Sequence, residues 1–178
     1  MDGGDIYRDN QIKCSDLRCK FIHIFEWVTI LPMMDFYTVV LDDREEFANR
    51  QRFTDSDEIV VLKSFEDAFV GRVFDTNSYI VIVTRGHSHD KTVLAQALKT
   101  NAEYIGMIGS RRKRDIIYQK LLADKFSQTD IDRVHSPIGL NIRAETPEEI
   151  AISIVAELIQ SRAEKRYPRN DEVPSDNV

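Results

Sequence analysis

A run of apolar residues at positions 79–83 constrains the fold of this chain more than any other stretch. The run is rich in β-branched Ile and Val, and polar, charged and imidazole side chains follow it directly. This pattern is typical of a central strand in a parallel sheet that helices cover on both faces. After Gly86, either Ser88 or Asp90 is expected to cap a helix, because apolar residues then recur at helical spacing. The run therefore predicts a buried strand that leads into a loop and a helix.

Strands and helices are predicted to alternate along the rest of the chain. The other predicted strands are residues 21–25, 36–41, 59–62 and 104–108, a short helix is predicted over 129–134, and a turn over 136–140. This alternation predicts an α/β fold, a doubly wound Rossmann-like parallel sheet with right-handed crossovers. Residues 1–20 are expected to form a polar arm, residues 21–165 one Rossmann-like domain and residues 166–178 a disordered tail.

Two capping patterns predict where helices begin. Asp43 opens one pattern, for a helix that runs toward residue 50. Thr146 opens the stronger one, because Pro147 and Glu149 follow it at the positions of a helix start and a capping box. That helix is expected to run to about residue 163. Its predicted core-facing stripe is Ile150, Ile154, Val155, Leu158 and Ile159.

Composition limits the kinds of protein that this chain can be. Its 178 residues, 42% of them hydrophobic, suffice for one good core. The formal net charge of −6 argues against nucleic acid as the main partner. Without an apolar run of transmembrane length or a signal-peptide pattern, we expect a cytoplasmic protein that does not contact the membrane. Cys14 and Cys19 lie outside the usual C-x-x-C spacing and are expected to be free thiols, with no metal site.

Asp42 ends the second predicted strand. Ligands of open α/β sheets bind outside the carboxyl ends of the strands, and a Rossmann domain places there a carboxylate that accepts hydrogen bonds from a nucleotide ribose. Asp42 is therefore a candidate ligand contact. The alternative is a solvated turn residue or a helix cap.

Gly109 and Ser110 follow the strand at 104–108 and precede a helix that begins with four basic residues. Free backbone N–H groups and the helix dipole favour an anion at such a helix start, whereas basic residues in the first turn oppose the dipole. A phosphate group bound by Gly109, Ser110 and Arg111 would resolve this conflict. The alternative is that the basic residues are ordinary solvated charges.

The loop after the strand at 79–83 carries Arg85, His87, His89 and Asp90. Two imidazoles and a carboxylate can hold a divalent metal or act as acid and base near neutral pH. No H-E-x-x-H or C-x-x-C set accompanies them, so contact with a polar ligand is preferred over metal binding. The remaining alternative is a hydrogen-bonded scaffold for the loop.

Five blocks in order give the chain a family resemblance. They are Leu-Asp-Asp-Arg at 41–44, Thr-Arg-Gly-His-Ser-His-Asp at 84–90, Tyr-Ile-Gly-Met-Ile-Gly-Ser-Arg-Arg-Lys at 104–113, Ser-Pro-Ile-Gly-Leu at 136–140 and Glu-Thr-Pro-Glu-Glu-Ile-Ala at 145–151. In these blocks the chain resembles the carboxyl-terminal Rossmann domain of the xanthine dehydrogenase accessory factor family, the XdhC/CoxI type.

The resemblance implies a maturation factor rather than an enzyme. Such a factor binds the molybdenum cofactor, protects it during sulfuration and passes it to a xanthine dehydrogenase-type molybdenum hydroxylase, with a cysteine desulfurase as a further partner. Two alternatives remain at this stage. One is an NAD(P)-dependent oxidoreductase, which Asp42 permits but the lack of a glycine fingerprint opposes, and the other is a protein-interaction remnant without catalytic function.

The link between the first two predicted strands, residues 26–35, is short for a parallel crossover and contains Pro32. It leaves room for a shortened crossover helix or none. A short apolar link would leave one sheet face bare, and exposed apolar surfaces often mark interfaces. We therefore predict a homodimer. No glycine lies between Gly4 and Gly71, so an anion is expected at Gly109 and not after residue 25.

Overall fold

The computed structural model describes residues 11–16, 26–84 and 86–167. Within them, six parallel strands form one sheet in the order β3-β2-β1-β4-β5-β6. The strands are β1 Gln11–Asp16, β2 Tyr37–Asp42, β3 Glu58–Val61, β4 Ser78–Val83, β5 Tyr104–Met107 and β6 Val134–His135. The helices are α1 Glu26–Ile30, α2 His87–Ala97, α3 Arg111–Ala123, α4 Gln128–Asp132 and α5 Pro147–Arg166. The predicted doubly wound Rossmann-like sheet is confirmed.

Strand β4 is buried along its whole length, as its apolar run predicts. Its side chains alternate between two cores, because successive residues of a strand point to opposite faces. Tyr79, Val81 and Val83 pack in the core beneath α1 and α5. Ile80 and Ile82 pack in the core beneath α2 and α3. Helices therefore cover both faces of the sheet.

Helix α5 begins where the capping pattern predicts. The Thr146 hydroxyl accepts a hydrogen bond from the Glu149 N–H, and the Glu149 carboxylate accepts one from the Thr146 N–H. Ile154, Val155 and Leu158 are buried against the sheet, and the other members of the predicted stripe are partly buried beside them. The helix continues three residues past the predicted end, to Arg166.

The first described strand lies earlier in the chain than the first predicted one. It is Gln11–Asp16, within the segment predicted to be a polar arm, and it pairs in parallel with both β2 and β4. Residues 21–25, the predicted first strand, lie outside the described residues, as do residues 1–10 and 168–178. β1 thus lies between β2 and β4 in the middle of the sheet.

The crossover from β1 to β2 is correspondingly longer than predicted. It spans residues 17–36 and includes the short helix α1 and a 3-10 turn, Leu31–Met34. Val28 and Leu31 are buried in the same core as α5, so the sheet face is covered and the argument for a bare face is wrong. The shortened first crossover helix is present. Dimerisation stays a prediction, without that support.

Three local features differ from the sequence prediction. Residues 43–50 form bends and turns in place of a helix. At the two ends of this segment the Asp42 carboxylate accepts from the Arg44 N–H, and the Asn49 side chain accepts from the N–H groups of residues 51 and 52; such side-chain bonds compete with helix formation. Gly86, not Ser88 or Asp90, precedes the first residue of α2. The two-residue strand β6 follows α4 and was not predicted. Among the described residues, no helix is both long and apolar enough to cross a membrane.

Candidate functional site

A groove of about 590 Å³ opens at the carboxyl ends of β5 and β6. One wall is the turn between β5 and α3, and the other is the loop from β6 to α5. The residues that line it are Ile108, Gly109, Ser110, Arg111, Pro137, Ile138, Gly139, Leu140, Asn141, Arg143, Ala144, Pro147, Ile150 and Ser153. Predicted site residues Gly109, Ser110 and Arg111 therefore meet in one ligand-sized depression.

The β5–α3 turn depends on the glycine at position 109. Gly109 has a φ of +152°, and a Cβ there would lie 2.7 Å from Cδ of Lys113. The aliphatic stem of Lys113 thus occupies the space that any other side chain would need. Ser110 caps α3 by accepting a hydrogen bond of 3.3 Å from the Lys113 N–H. The Ser110 hydroxyl proton remains available to donate to a ligand.

Asp90 does not face a ligand. Its side chain is fully buried and accepts hydrogen bonds from the Thr84 N–H at 3.1 Å and the Thr84 hydroxyl at 2.6 Å. The ammonium of Lys113 completes the arrangement as an ion pair with the same carboxylate. The predicted role of Asp90 as a cofactor contact is therefore replaced by a structural one, since it joins α2, α3 and the end of β4.

The opposite wall of the groove is fixed by close packing. A Cβ on Gly106 would lie 2.4 Å from Cδ1 of Ile138, so the bare backbone of β5 accommodates that side chain. Gly139 has a φ of +100° and lies against Ser153 of α5, where a Cβ would be 2.3 Å from the hydroxyl oxygen. The Leu140 N–H donates to the Ser153 carbonyl at 3.1 Å. Strand and helix together therefore hold this loop.

Glu157 of α5 does not line the groove but supports this loop from the side of a separate cavity. Its carboxylate accepts hydrogen bonds from the Tyr104 hydroxyl at 2.6 Å, from Nδ1 of His135 at 3.0 Å and from the Gly139 N–H at 2.5 Å. Burial raises the pKa of the Glu157 carboxyl, but the hydrogen bonds from these three groups outweigh burial, and the pKa lies below its usual value. Burial and the neighbouring carboxylate raise the pKa of Tyr104. The charged form of Glu157 therefore holds the loop.

Asp42 lies at the predicted place, but Arg44 already engages it. Its carboxylate accepts hydrogen bonds of 3.0 Å from Nε and from Nη2 of Arg44, and one of 2.9 Å from the Arg44 N–H. Burial raises the pKa of Asp42, and the Arg44 guanidinium partly offsets that rise. The arrangement is a bidentate internal ion pair, with the guanidinium 3.8 Å from the ring centroid of Phe47.

Neither His89 nor Asp90 lines the groove. The ring of His89 packs at 5.1 Å from that of Phe65, which belongs to the core on the α2 side of the sheet. Ile108, Ile138 and Ile150 of the groove belong to the core on the α5 side. Arg85 and the side chain of His87 lie outside the described residues. Among the described residues, no group of His, Cys, Asp and Glu could hold a metal.

The four basic residues at the start of α3 have different surroundings. Lys113 pairs with Asp90, and Arg114 pairs with Asp115 and donates to the Ser136 carbonyl at 3.1 Å. Arg111 lies at the groove and is exposed. Part of the predicted charge conflict is thus resolved internally, whereas Arg111 remains directed to solvent.

Sequence reasoning identified one wall of the groove and missed the other. Gly106, within a strand, and Gly139, within a turn, were available signals, since glycine in such places often permits close approach of another segment. Arg143 has a φ of +59°, a left-handed conformation that the sequence around it does not predict. In the sequence, Glu157 cannot be distinguished from an ordinary polar residue of an amphipathic helix.

The strand order and the helices on both faces define a Rossmann-type domain, with a groove at the carboxyl edge of its sheet. The family model of the XdhC Rossmann domain matches residues 24–158, and the chain belongs to that family. The family resemblance seen in the sequence is thereby confirmed.

Relatives from Escherichia coli and Bacillus subtilis share this region. Over 128 residues the chain is 30% identical to the uncharacterized protein YqeB of Escherichia coli and 32% identical to a probable xanthine dehydrogenase subunit of Bacillus subtilis. These matches cover 72% and 71% of this chain, but 23% and 36% of the relatives. A third match, 25% identical over 88 residues, is to the molybdenum cofactor insertion chaperone PaoD of E. coli, covering 49% of this chain and 28% of PaoD.

A crystal structure of a xanthine dehydrogenase from Bacillus halodurans has a similar fold. The TM-score is 0.72 at 32% sequence identity, and the match covers 89% of this chain and 44% of the other. The chain thus spans less than half the length of each of these four proteins.

Proposed function

We propose that the chain is a cytoplasmic maturation factor, or the Rossmann part of one, that binds the molybdenum cofactor and assists its sulfuration and insertion into a xanthine dehydrogenase-type hydroxylase. A cysteine desulfurase would supply the sulfur. Membership of the XdhC Rossmann domain family supports this role, as does the similarity to a protein named as a molybdenum cofactor insertion chaperone. In this proposal the cofactor is cargo, and the chain itself performs no redox chemistry.

The observation that carries the proposal is the groove at Gly109, Ser110 and Arg111. Its volume of about 590 Å³ falls within the range of small-molecule sites, and most of its lining is apolar. An apolar floor suits a planar pterin, and a guanidinium with a free hydroxyl suits the terminal phosphate. The residues present therefore fit the proposed cargo. Arg85 and His87 stay candidate contacts on the strength of the sequence.

The NAD(P)-dependent alternative receives less support. In a dinucleotide site, the carboxylate after the second strand would accept hydrogen bonds from ribose. Here both oxygens of Asp42 accept from Arg44, so a nucleotide would have to compete with an internal bidentate pair. We therefore give this alternative no role in the proposal.

The test is direct binding. Purified protein is mixed with free molybdenum cofactor or with NADH, passed through gel filtration, and the protein peak is assayed for each compound. We expect the molybdenum cofactor to be retained and NADH to elute separately. Retention of NADH alone would replace the proposal with the oxidoreductase alternative, and retention of neither would remove the binding role.

A second measurement addresses the partner. Wild-type protein loaded with cofactor is added to a cofactor-free xanthine dehydrogenase-type hydroxylase, and recovery of hydroxylase activity is compared with that given by free cofactor. Faster or more complete recovery is expected. Equal recovery in both samples would contradict an insertion role.

A further inference from the structure

We propose that the loop from β6 to α5 is the second half of the ligand site, and that Arg143 in that loop selects an anionic, planar heteroaromatic ligand. The inference rests on the proposed function for the identity of the natural ligand, but not for the chemistry of the groove. The ring would lie on the apolar floor made by Ile108, Ile138 and Ile150. Its anionic end would lie between Arg111 and Arg143.

The charge of the groove supports this ligand class. The chain has a formal net charge of −6, yet the groove is lined by Arg111 and Arg143 and by no Asp or Glu. Two other cavities of the described region differ in this respect. One is lined by Glu103, Glu157 and Glu164 with Lys165 and His135, and the second by Glu45 and Glu46 with Arg50, so acidic residues outnumber basic ones in both. An anion is therefore favoured in the groove and disfavoured in the other two cavities.

The loop is held in place before any ligand arrives. Ile138 is seated over Gly106, the Gly139 N–H donates to Glu157, and the Leu140 N–H donates to the Ser153 carbonyl. A wall of this kind loses little conformational entropy when a ligand binds. The part of the loop that precedes Arg143, residues 138–140, is therefore fixed against β5 and α5.

The backbone of Arg143 allows a matched pair of variants. Its φ is +59°, a conformation that Asn tolerates better than most residues. Arg143→Asn therefore removes the guanidinium and keeps the turn. Lys125 has a φ of +70°, is exposed, and lies at the end of α3 away from the groove, so Lys125→Asn removes one positive charge under the same backbone constraint.

Arg111 has its own matched control. Its neighbour Arg112 is also exposed and does not line the groove. Arg111→Gln and Arg112→Gln thus remove the same charge from adjacent positions of one helix, and only the first should affect the ligand.

The experiment measures the affinity of the full chain for 6-carboxypterin, a fluorescent planar anion, by quenching of its fluorescence. Arg143→Asn and Arg111→Gln should each weaken binding about tenfold, because each removes a charge-assisted contact. Lys125→Asn and Arg112→Gln should leave the affinity within about twofold of wild type. Urea unfolding of all four variants verifies that they fold.

Three further ligands identify the parts of the site. Neutral pterin should bind more weakly than 6-carboxypterin, and its affinity should not change in Arg143→Asn. GMP tests whether the groove accepts a purine ring in place of a pterin. Inorganic phosphate should bind more weakly than either anion with a ring. Equal affinity of the neutral and anionic pterins would overturn the proposal, as would absence of 6-carboxypterin and GMP binding at millimolar concentration.

The two proposals can fail separately. If the molybdenum cofactor is retained by wild type and equally by Arg143→Asn and Arg111→Gln, the groove assignment is wrong and the maturation role stands. If 6-carboxypterin binds more tightly than neutral pterin and only its binding is weakened by Arg143→Asn, but the cofactor is not retained, the groove assignment stands and the maturation role is wrong.

Discussion

The ammonium of Lys113 forms an ion pair with the buried carboxylate of Asp90 and thereby joins the first turns of α3 and α2. The same Lys113 side chain passes the space left by the missing Cβ of Gly109. The Lys113–Asp90 ion pair therefore stabilises the turn between β5 and α3, which forms one wall of the groove. The pair explains why a lysine is tolerated at a helix start, where the dipole alone would disfavour it.

Lys113→Met is expected to lower the free energy of unfolding by about 3 kcal/mol, because it leaves the Asp90 carboxylate buried without its cation. Urea unfolding at neutral pH measures the change. The control is Lys91→Met, which removes the partner of Asp124 in a partly exposed pair of 2.5 Å and should cost less than about 1 kcal/mol. Equal losses in the two variants would show that Asp90 does not depend on Lys113.

Glu157→Gln is expected to flatten the acid side of the stability profile. The pKa of Glu157 is lower in the folded chain than in the unfolded chain, where it is about 4.3. The charged carboxylate therefore contributes its full stabilisation at pH values above the unfolded pKa. This stabilisation is lost as the pH falls through the folded pKa. Wild type should therefore lose stability more steeply than Glu157→Gln below about pH 5.

At pH 7 the same variant should be about 1–2 kcal/mol less stable, since the Tyr104 hydroxyl and the Gly139 N–H lose a charged acceptor. Urea midpoints from pH 7 to pH 3 provide both quantities. Glu164→Gln, on an exposed part of the same helix, is the matched control. A wild-type slope shared by both variants would argue against the role of Glu157.

Gly106→Ala should destabilise the chain by about 1–3 kcal/mol and weaken ligand binding, because the new methyl group would collide with Ile138 and displace the loop. Gly86→Ala is a suitable control, since no heavy atom beyond its two chain neighbours lies within 4 Å of its added Cβ and its φ of −176° is extended. Thermal unfolding and quenching of 6-carboxypterin measure the two effects. Full affinity in Gly106→Ala would contradict the close approach.

His89→Ala should lower stability by about 0.5–1 kcal/mol through loss of ring contact with Phe65, with no change in ligand affinity. This expectation replaces the ligand-facing role predicted for His89 from sequence. Ser88→Ala, at the exposed neighbour, provides the baseline for both measurements. A loss of affinity without loss of stability would restore the sequence interpretation.

Local signals were sufficient for β4 and α5. The apolar run of β4 and the capping box of Thr146 act within a few residues, and tertiary packing reinforces both. β1 was missed because its sequence, Gln-Ile-Lys-Cys-Ser-Asp, is mostly polar, while residues 21–25 carry a stronger strand pattern. Pairing with β2 and β4 determines β1, and a sequence window does not contain that information.

The site was predictable in part for the same reason. Gly109, Ser110 and Arg111 are adjacent in sequence, so their strand-to-helix turn could be recognised. The partners of Glu157 come from β5, β6 and the following loop, and only the folded sheet brings Tyr104 and Gly139 to one carboxylate. The sequence shows that Asp90 and His89 are polar, but it does not show whether their side chains face a ligand or the interior.

The contact between Gly106 and Ile138 also constrains how related sequences can vary. Two segments distant along the chain share one volume, so a residue larger than glycine in the middle of β5 requires a smaller one in the loop. In an alignment of relatives, the two positions should therefore change together, and the loop should shift or shorten where they do not. The residues that a relative carries at the positions of Gly106 and Ile138 would then indicate whether that relative keeps the groove.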